Sequence, residues 1–437
     1  MTGTPPRRRW TEARAERELR SLELFGMRFG LDRMRRMMTV LGSPERRFRA
    51  VHVLGTNGKS STTRMAAEVL RRHGLRVGAY LSPHLVSWRE RILVEGVELD
   101  ADEFALAVST ASAAAERVNR TLAEGDHVTQ FELVTAAALW HMAERGVDVA
   151  VIEAGLGGRY DATSVIEADV TVLTGVGLEH TRWLGPTIRD IAEEKLAAVG
   201  EDATLVLGPD LAADARAVAD RVASERRAKI VVAPALPEEL ALAARGRFQR
   251  RNFALARAAA AAFLERAGRE LDDHAVAAAA ETQIPGRLEV RGSEPVVILD
   301  GAHNPDAVAA LVESLPEAVP SATPLALVLG VLEDKDAARM LAALLPRVQR
   351  AWFTAPPSDR ALPPAALLSL ARQLGHADAE CEPDPFRALE QARAWARERD
   401  AAVLATGSVY LVGELVGELS GTRAETDAEA LRGSVRK

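Results

Sequence analysis

At 437 residues the chain is too long for one ordinary domain and predicts two or three. Its 55 basic residues face 62 acidic ones for a net charge of -7, which excludes a protein whose main task is gripping nucleic acid or an anionic membrane. A single cysteine, Cys381, excludes a disulfide framework and fits a reducing cytosol. The basic start Met1-Thr-Gly-Thr-Pro-Pro-Arg-Arg-Arg-Trp10 has no apolar signal core after it, and no run of about 18 apolar residues could cross a bilayer. A soluble, cytoplasmic chain is expected.

Apolar, β-branched runs recur in chain order at 50–55, 76–82, 148–155, 169–176, 204–207 and 229–233, then at 294–301, 325–332, 350–355 and 401–408. Most end in glycine or a small residue, and alanine-rich helical stretches lie between them. Short continuous apolar strands alternating with helices mean parallel sheets covered on both faces, so the class is α/β, twice over. Alanine repeats at 275–280 stop at Ile284-Pro-Gly-Arg-Leu-Glu289, and a fresh strand follows. Two domains, 1–286 and 287–437, joined by a short hinge, are expected. The polar tail from about residue 420 reads as frayed.

Only five lysines are present: Lys59, Lys195, Lys229, Lys335 and Lys437. In a chain that writes nearly every cation as arginine, a lysine marks either a position that needs a primary amine or a chance survivor.

The first run leads into Gly55-Thr-Asn-Gly58-Lys59-Ser60-Ser61 and a helix closed by Gly74. Glycines let the backbone curl so that successive N–H groups face an anion, and the helix N-terminus adds positive potential. In that setting Lys59 reaches the β/γ phosphates of a nucleotide and Ser60 meets Mg²⁺. Full Walker spacing needs glycine where Val53 stands, so the loop is a shortened form; an ordinary glycine turn is the plain alternative. The third run delivers Glu153 at its C-terminal end, the fourth delivers His180 just beyond, and Ser82 ends the second. Ligands gather at such strand ends, and oxygen or nitrogen donors beside a phosphate loop suit Mg²⁺ bridging ATP phosphates. Taken singly, Ser82 reads as a helix cap, His180 as a packed turn residue and Glu153 as an ion-pair partner. Lys195, in Ile188-Arg-Asp-Ile-Ala-Glu-Glu-Lys195, reads from its neighbours alone as a surface lysine. In Asp300-Gly-Ala-His-Asn-Pro305, Asn304 is placed to cap a helix with Pro305 at its first position, leaving Asp300 and His303 to project.

The shortened loop resembles that of the Mur ligase superfamily. The stretches Ser82-Pro-His-Leu, Trp88-Arg-Glu-Arg-Ile92, Glu153-Ala-Gly-Leu-Gly-Gly-Arg-Tyr-Asp-Ala-Thr163, Gly177-Leu-Glu-His-Thr-Arg-Trp-Leu-Gly185, Pro285-Gly-Arg-Leu-Glu289, Asp300-Gly-Ala-His-Asn-Pro305 and Thr406-Gly-Ser-Val-Tyr-Leu-Val-Gly413 resemble the folylpolyglutamate synthase/dihydrofolate synthase branch. They arrive in family order. The resemblance implies a P-loop-type Mur ligase central domain followed by a smaller Rossmann-like C-terminal domain. It implies ATP-dependent addition of L-glutamate to dihydropteroate or a reduced folate through an acyl phosphate, in a chain expected to be monomeric.

The resemblance assigns Gly55, Thr56, Asn57, Gly58, Lys59, Ser60, Ser61, Asn252, Arg287 and Asp300 to ATP. It assigns Ser82 and Glu153 to one Mg²⁺, and Glu153 with His180 to a second. Lys195 is implied to be carbamylated by CO₂, although the usual Glu-Lys-Ala-Gly-Ile reads Glu-Lys-Leu-Ala-Ala here. With Lys59 and Lys195, His303 near the γ-phosphate completes the catalytic set. Arg287 lies on the hinge, which would couple ATP to domain closure. The folate-contacting segments correspond to Arg28, Phe29, Gly30 and Leu31, to Thr129, Gln130, Phe131 and Glu132, and to Tyr160, Asp161 and Ala162. Phe131 could stack on a pterin or simply pack in the core, and Glu132 could accept ring N–H groups. Gln130 and Tyr160 replace residues common in relatives. Lys335 matches a family Asp-Lys-Asp pattern or forms an ion pair. Competing readings are a non-catalytic nucleotide-binding regulatory protein on a degenerate ligase scaffold, another Mur-type amino-acid ligase, or a generic P-loop kinase.

Overall fold

The computed structural model describes residues 10–22 and 30–419; Arg28 and Phe29 of the expected folate segment lie outside them, as does the tail from 420. Strands run at β1 (Arg49–Leu54), β2 (Val77–Tyr80), β3 (Ile92–Val94), β4 (Val97–Glu98), β5 (Val149–Glu153), β6 (Val170–Leu173), β7 (Thr204–Leu207) and β8 (Lys229–Val232). They continue at β9 (Glu289–Arg291), β10 (Val297–Leu299), β11 (Leu325–Leu329), β12 (Arg350–Phe353), β13 (Ala379–Cys381) and β14 (Ala402–Thr406). Two sheets result. The first has eight strands in the order β4-β3-β2-β5-β1-β6-β7-β8, and the second six in the order β13-β12-β11-β14-β10-β9. All pairings are parallel except β2–β3, β3–β4 and β9–β10.

The apolar runs are continuous because both faces of each sheet are covered. In β11, Leu325, Leu327 and Leu329 face one core together with Ile298, Phe353 and Leu404. Ala326 and Val328 face a second with Val297, Leu299, Trp352 and Val403. Side chains alternate across a strand, so a strand buried on both sides has no polar position to spare. All ten runs read from the sequence are strands. Four further strands, β3, β4, β9 and β13, are two or three residues long and lie at or beside sheet edges, too short to show a period. The β3–β4 hairpin turns at Glu95 and Gly96, whose φ values of 56° and 80° are the left-handed pair that a two-residue hairpin needs.

Among the described residues the chain forms two compact units. The first runs to Pro83 and takes 87–241 and 251–282; the second takes 84–86, 242–250 and 283 onward. The two short segments belong to the second unit for local reasons. Gly413 lies against the Leu85 backbone so closely that a Cβ there would overlap it. Gly246 donates its N–H to Glu317 Oε2 at 2.8 Å, and Arg247 N–H donates to Ser314 Oγ at 3.2 Å.

In the first unit, Thr129 and Glu132 form a capping box at the start of helix Gln130–Glu144. The Glu132 carboxylate accepts the Thr129 N–H at 2.9 Å and the Arg33 Nε–H at 3.0 Å, while Arg33 Nη1 donates to Asp126 at 3.1 Å. Arg33 and Glu132 are 7% and 5% exposed. Glu132 is therefore engaged by a helix cap and a buried ion pair. Gln130 is likewise buried, donating from Nε2 to Leu19 O at 2.7 Å and so fastening helix Glu12–Ser21. Removing one partner of a buried pair strands the other charge. Glu132→Ala is expected to destabilise the first unit by roughly 3 kcal/mol, the low end for such a loss because Asp126 remains with Arg33; the urea midpoint of unfolding reads this directly.

Candidate active site

The loop between β1 and helix Lys59–Arg72 is shaped by two glycines with positive φ, Gly55 at 144° and Gly58 at 85°. A Cβ on Gly55 would overlap the Thr174 hydroxyl, and one on Gly58 would overlap the Asn252 side-chain oxygen. Thr174, just past β6, donates its hydroxyl to Asn57 O at 2.6 Å, and Thr56 N–H donates to Gly175 O at 2.9 Å. The loop is thus braced from the neighbouring strand's end, and Thr174 is a structural partner that sequence reading did not single out. No side chain caps the helix at Gly58. Its first N–H groups, among the donors a helix start leaves without intrahelical partners, are those an anion would take.

Two lysines converge on one carbonyl of this loop. Lys59 Nζ donates to Gly55 O at 3.1 Å and to Thr56 O at 3.2 Å, and Lys195 Nζ donates to the same Gly55 O at 3.0 Å. Lys195 is 4% exposed, which corrects its reading as a surface lysine. Its neighbours Glu193 and Glu194 turn outward to Arg221 and Arg159, leaving the amine pointing inward. Burial first, and then the nearby Lys59 ammonium, push the Lys195 amine down to about 7, against the opposing pull of Glu179, Asp161 and Glu194. At neutral pH a large share of Lys195 is a neutral amine.

Glu153 closes β5 at 1% exposure and gathers two of the expected partners. Its Oε1 accepts the Ser60 hydroxyl at 2.8 Å and its Oε2 accepts the Ser82 N–H at 3.0 Å. Among the described residues no group of three or more His, Cys, Asp or Glu forms a metal cage. A carboxylate with adjoining hydroxyls fits Mg²⁺, a hard cation that takes one or two carboxylates and draws its other ligands from phosphate and water. His180 sits at the start of the short helix Thr181–Leu184 with a φ of 52°, its Nε2 3.8 Å from Glu179 Oε1.

Of the expected folate residues, Phe131 is half-buried and its ring covers Gly155, where a Cβ would approach it to 2.5 Å. The ring also meets Tyr80 at 6.2 Å. Phe131 thus packs on the core and covers Gly155, two residues after Glu153. Tyr160 is 46% exposed. Asp161 and Ala162 are buried, and the Asp161 carboxylate accepts the N–H groups of Leu156 at 2.8 Å and Thr163 at 3.0 Å, so it serves its own loop. Gly30 and Leu31 precede helix Asp32–Val40.

In the second unit, Asn304 accepts the Ala307 N–H at 2.8 Å and caps helix Pro305–Ser314, as the motif implied. Asp300 does not project. It is 3% exposed, and its carboxylate accepts the N–H groups of Leu288 and Ala302, both at 2.8 Å. It thereby holds Leu288 at a left-handed φ of 45°. The Arg287 guanidinium lies directly over Gly301, where any Cβ would collide with it. His303 donates from Nδ1 to Gly301 O at 2.9 Å. Lys335 is an ion-pair partner of Asp334 at 3.3 Å.

Residues 53–207 match the Mur ligase middle domain and residues 286–409 the Mur ligase, glutamate ligase domain. Fold and loop together therefore define a member of the Mur ligase superfamily. The dihydrofolate synthase/folylpolyglutamate synthase of Bacillus subtilis is 31% identical, over 90% of this chain and 95% of its own. The solved folylpolyglutamate synthase of Mycobacterium tuberculosis, complexed with ADP, superposes with a TM-score of 0.87 at 30% identity, over 93% of this chain and 98% of that one. A probable bifunctional folylpolyglutamate synthase/dihydropteroate synthase of Haloferax volcanii is 36% identical over 90% of this chain, which spans only 49% of that protein. The chain belongs to the dihydrofolate synthase/folylpolyglutamate synthase family.

The buried amine makes a stability prediction. Between about 7, the folded value of Lys195, and the ordinary lysine value of 10.5, the unfolded chain binds more protons than the folded one. Stability carried by this group therefore rises with pH across that window and is lowest below it. Relative to Lys195→Met, the wild type should gain stability as pH is raised from about 7 to about 10; equilibrium denaturation of both proteins across the range measures it.

Proposed function

We propose that the chain is an ATP-dependent ligase that joins the α-amine of L-glutamate to the carboxylate of dihydropteroate or a reduced folate. The observation that carries this reading is the meeting of Lys59 and Lys195 on Gly55 O, with the buried Glu153 bonded to Ser60 of the same loop. A carboxylate approaching a triphosphate is an encounter of anions, so catalysis here consists of neutralising and positioning charge. Loop N–H groups and the Lys59 ammonium would take the phosphates, with Asn252 seated on Gly58 to shape the loop. An acceptor carboxylate oxygen attacks the γ-phosphorus, ADP departs, and the acyl phosphate forms. The glutamate amine then attacks the acyl carbon, phosphate leaves and the amine loses its proton. No nucleophilic side chain is needed. In the second unit we assign Arg287 and His303 to anionic substrate groups, with Asp300 holding the loop that presents them.

Glu153 with Ser60 and Ser82 would hold one Mg²⁺, and Glu153 with His180 a second; when bound, the metal supplies charge neutralisation between carboxylate and phosphate oxygens. A neutral Lys195 amine can also attack CO₂ and lose a proton, leaving a carbamate with oxygen donors, a reaction closed to arginine. Phe131 and the exposed Tyr160 are the aromatic surfaces we assign to the pterin and its extension. The Haloferax volcanii relative is named a probable bifunctional folylpolyglutamate synthase/dihydropteroate synthase, which supports that acceptor. The lone, exposed Cys381 supports a cytosolic location, and no helix of the described residues is long and apolar enough to cross a membrane.

Phosphate release from ATP should require both glutamate and a pterin acceptor, dihydropteroate or tetrahydrofolate. Lys59→Ala should lower kcat by about 10²–10³-fold, the scale of losing one preorganised charge donor. No glutamate-dependent release with either acceptor would refute the ligase reading.

A further inference from the structure

A buried chain of polar groups joins β1 to the segment that follows β5. His52 lies on β1 at 1% exposure, and its Nε2 is 2.8 Å from the Thr163 hydroxyl. That hydroxyl in turn donates to Asp161 Oδ1. A threonine hydroxyl has one proton, and here it is given to the carboxylate. The oxygen must then accept from His52, which places the imidazole proton on Nε2. Burial holds the ring neutral by pushing His52 down to about 4. Burial also pushes the Asp161 carboxyl up, opposed by its bonds from Thr163, Leu156 and Gly155.

The far end of this chain reaches Lys195. With both oxygens of Asp161 engaged by Gly155, Leu156 and Thr163, the segment 155–163 is drawn into a closed loop. Ser164 fastens the middle of the loop by donating to Gly158 O. Gly158 lies so close to the Lys195 carbonyl that no side chain fits between them, and the Arg159 N–H donates to Glu194 O at 2.9 Å. The loop is therefore the seat for the end of helix Ile188–Leu196. His52 stands three residues before Gly55, whose carbonyl receives the Lys195 amine. One strand thus carries both the start of the polar chain and the target of the lysine.

We propose that His52, acting through Thr163 and Asp161, is a positioning residue that sets where the Lys195 amine sits relative to the phosphate loop. This rests on the assignment of Lys195 to the active site. Neither His52 nor Thr163 touches the reacting groups in this account. Their contribution is the register between strand, loop and helix end, and a shift of about 1 Å at such a distance is enough to slow a positioned reaction by about 10²-fold.

Thr163→Val keeps the shape of the side chain and deletes both hydrogen bonds, whereas Thr163→Ser keeps the hydroxyl. Glutamate-dependent turnover is expected to fall by about 10–100-fold in Thr163→Val, the usual scale for supporting partners of a site. KM for ATP should change little, and Thr163→Ser should recover most of the rate. Circular dichroism at the assay temperature establishes that each protein is folded, so that lost stability cannot imitate the effect. If Thr163→Val does not fold, His52→Gln, whose amide N–H reaches the Nε2 position, should retain turnover that His52→Asn, with its amide near Nδ1, loses. Nitrogen-15 spectra of the wild type should show the Nε2–H tautomer of His52 across the assay range. Wild-type kcat in a folded Thr163→Val, equal rates for the two His52 variants, or an Nδ1–H tautomer would overturn the proposal. Lys195→Ala separates the two levels. Turnover lost there but intact in Thr163→Val rejects the polar chain alone, and wild-type turnover in both rejects the site assignment beneath it.

Discussion

Much of the candidate site depends on one backbone carbonyl. Gly55 O receives hydrogen bonds from two lysine side chains, Lys59 from its own loop and Lys195 from a helix 140 residues further along the chain. Two like charges would not share an acceptor in water, where each would be better hydrated alone. Burial forces the arrangement and lowers the affinity of Lys195 for its proton. The carbonyl is available because Gly55 takes a φ of 144° and carries no Cβ to collide with Thr174. The glycine, the threonine at the end of β6 and the two lysines are one constraint expressed in four residues.

That constraint explains how the lysines are distributed. Lys229 pairs with Glu265 at 2.9 Å on the surface and Lys335 pairs with Asp334, roles that arginine fills elsewhere in the chain. Lys59 and Lys195 point at backbone. A compact ammonium fits over a loop carbonyl where a planar guanidinium would need room for its fork. Lys195 has, besides, an amine driven toward its neutral form, the property that carbamate chemistry requires.

What could be read from the sequence followed the range of the interactions involved. Strands buried on both faces announce themselves as apolar runs, and the phosphate loop is compact enough to carry its glycines, lysine and hydroxyl within a few positions. The Asn304 cap was legible for the same reason. The failures lie where a distant partner decides. The ion pair of Glu132 was missed because Arg33, 99 residues earlier, is invisible in its neighbourhood. Lys195 looked exposed because Glu193 and Glu194 flank it, and Asp300 looked projecting because its acceptor capacity is taken by Leu288 and Ala302 across the hinge motif. The edge strands β3, β4, β9 and β13 were too short to show a pattern at all.

The account stands on Lys195 acting through its amine rather than its charge. Lys195→Arg keeps the charge and removes the amine, and calorimetric titration with ATP alongside glutamate-dependent phosphate release separates the two. The account predicts that the variant still binds ATP but loses glutamate-dependent turnover. An arginine variant that binds ATP and turns over at the wild-type rate would contradict it.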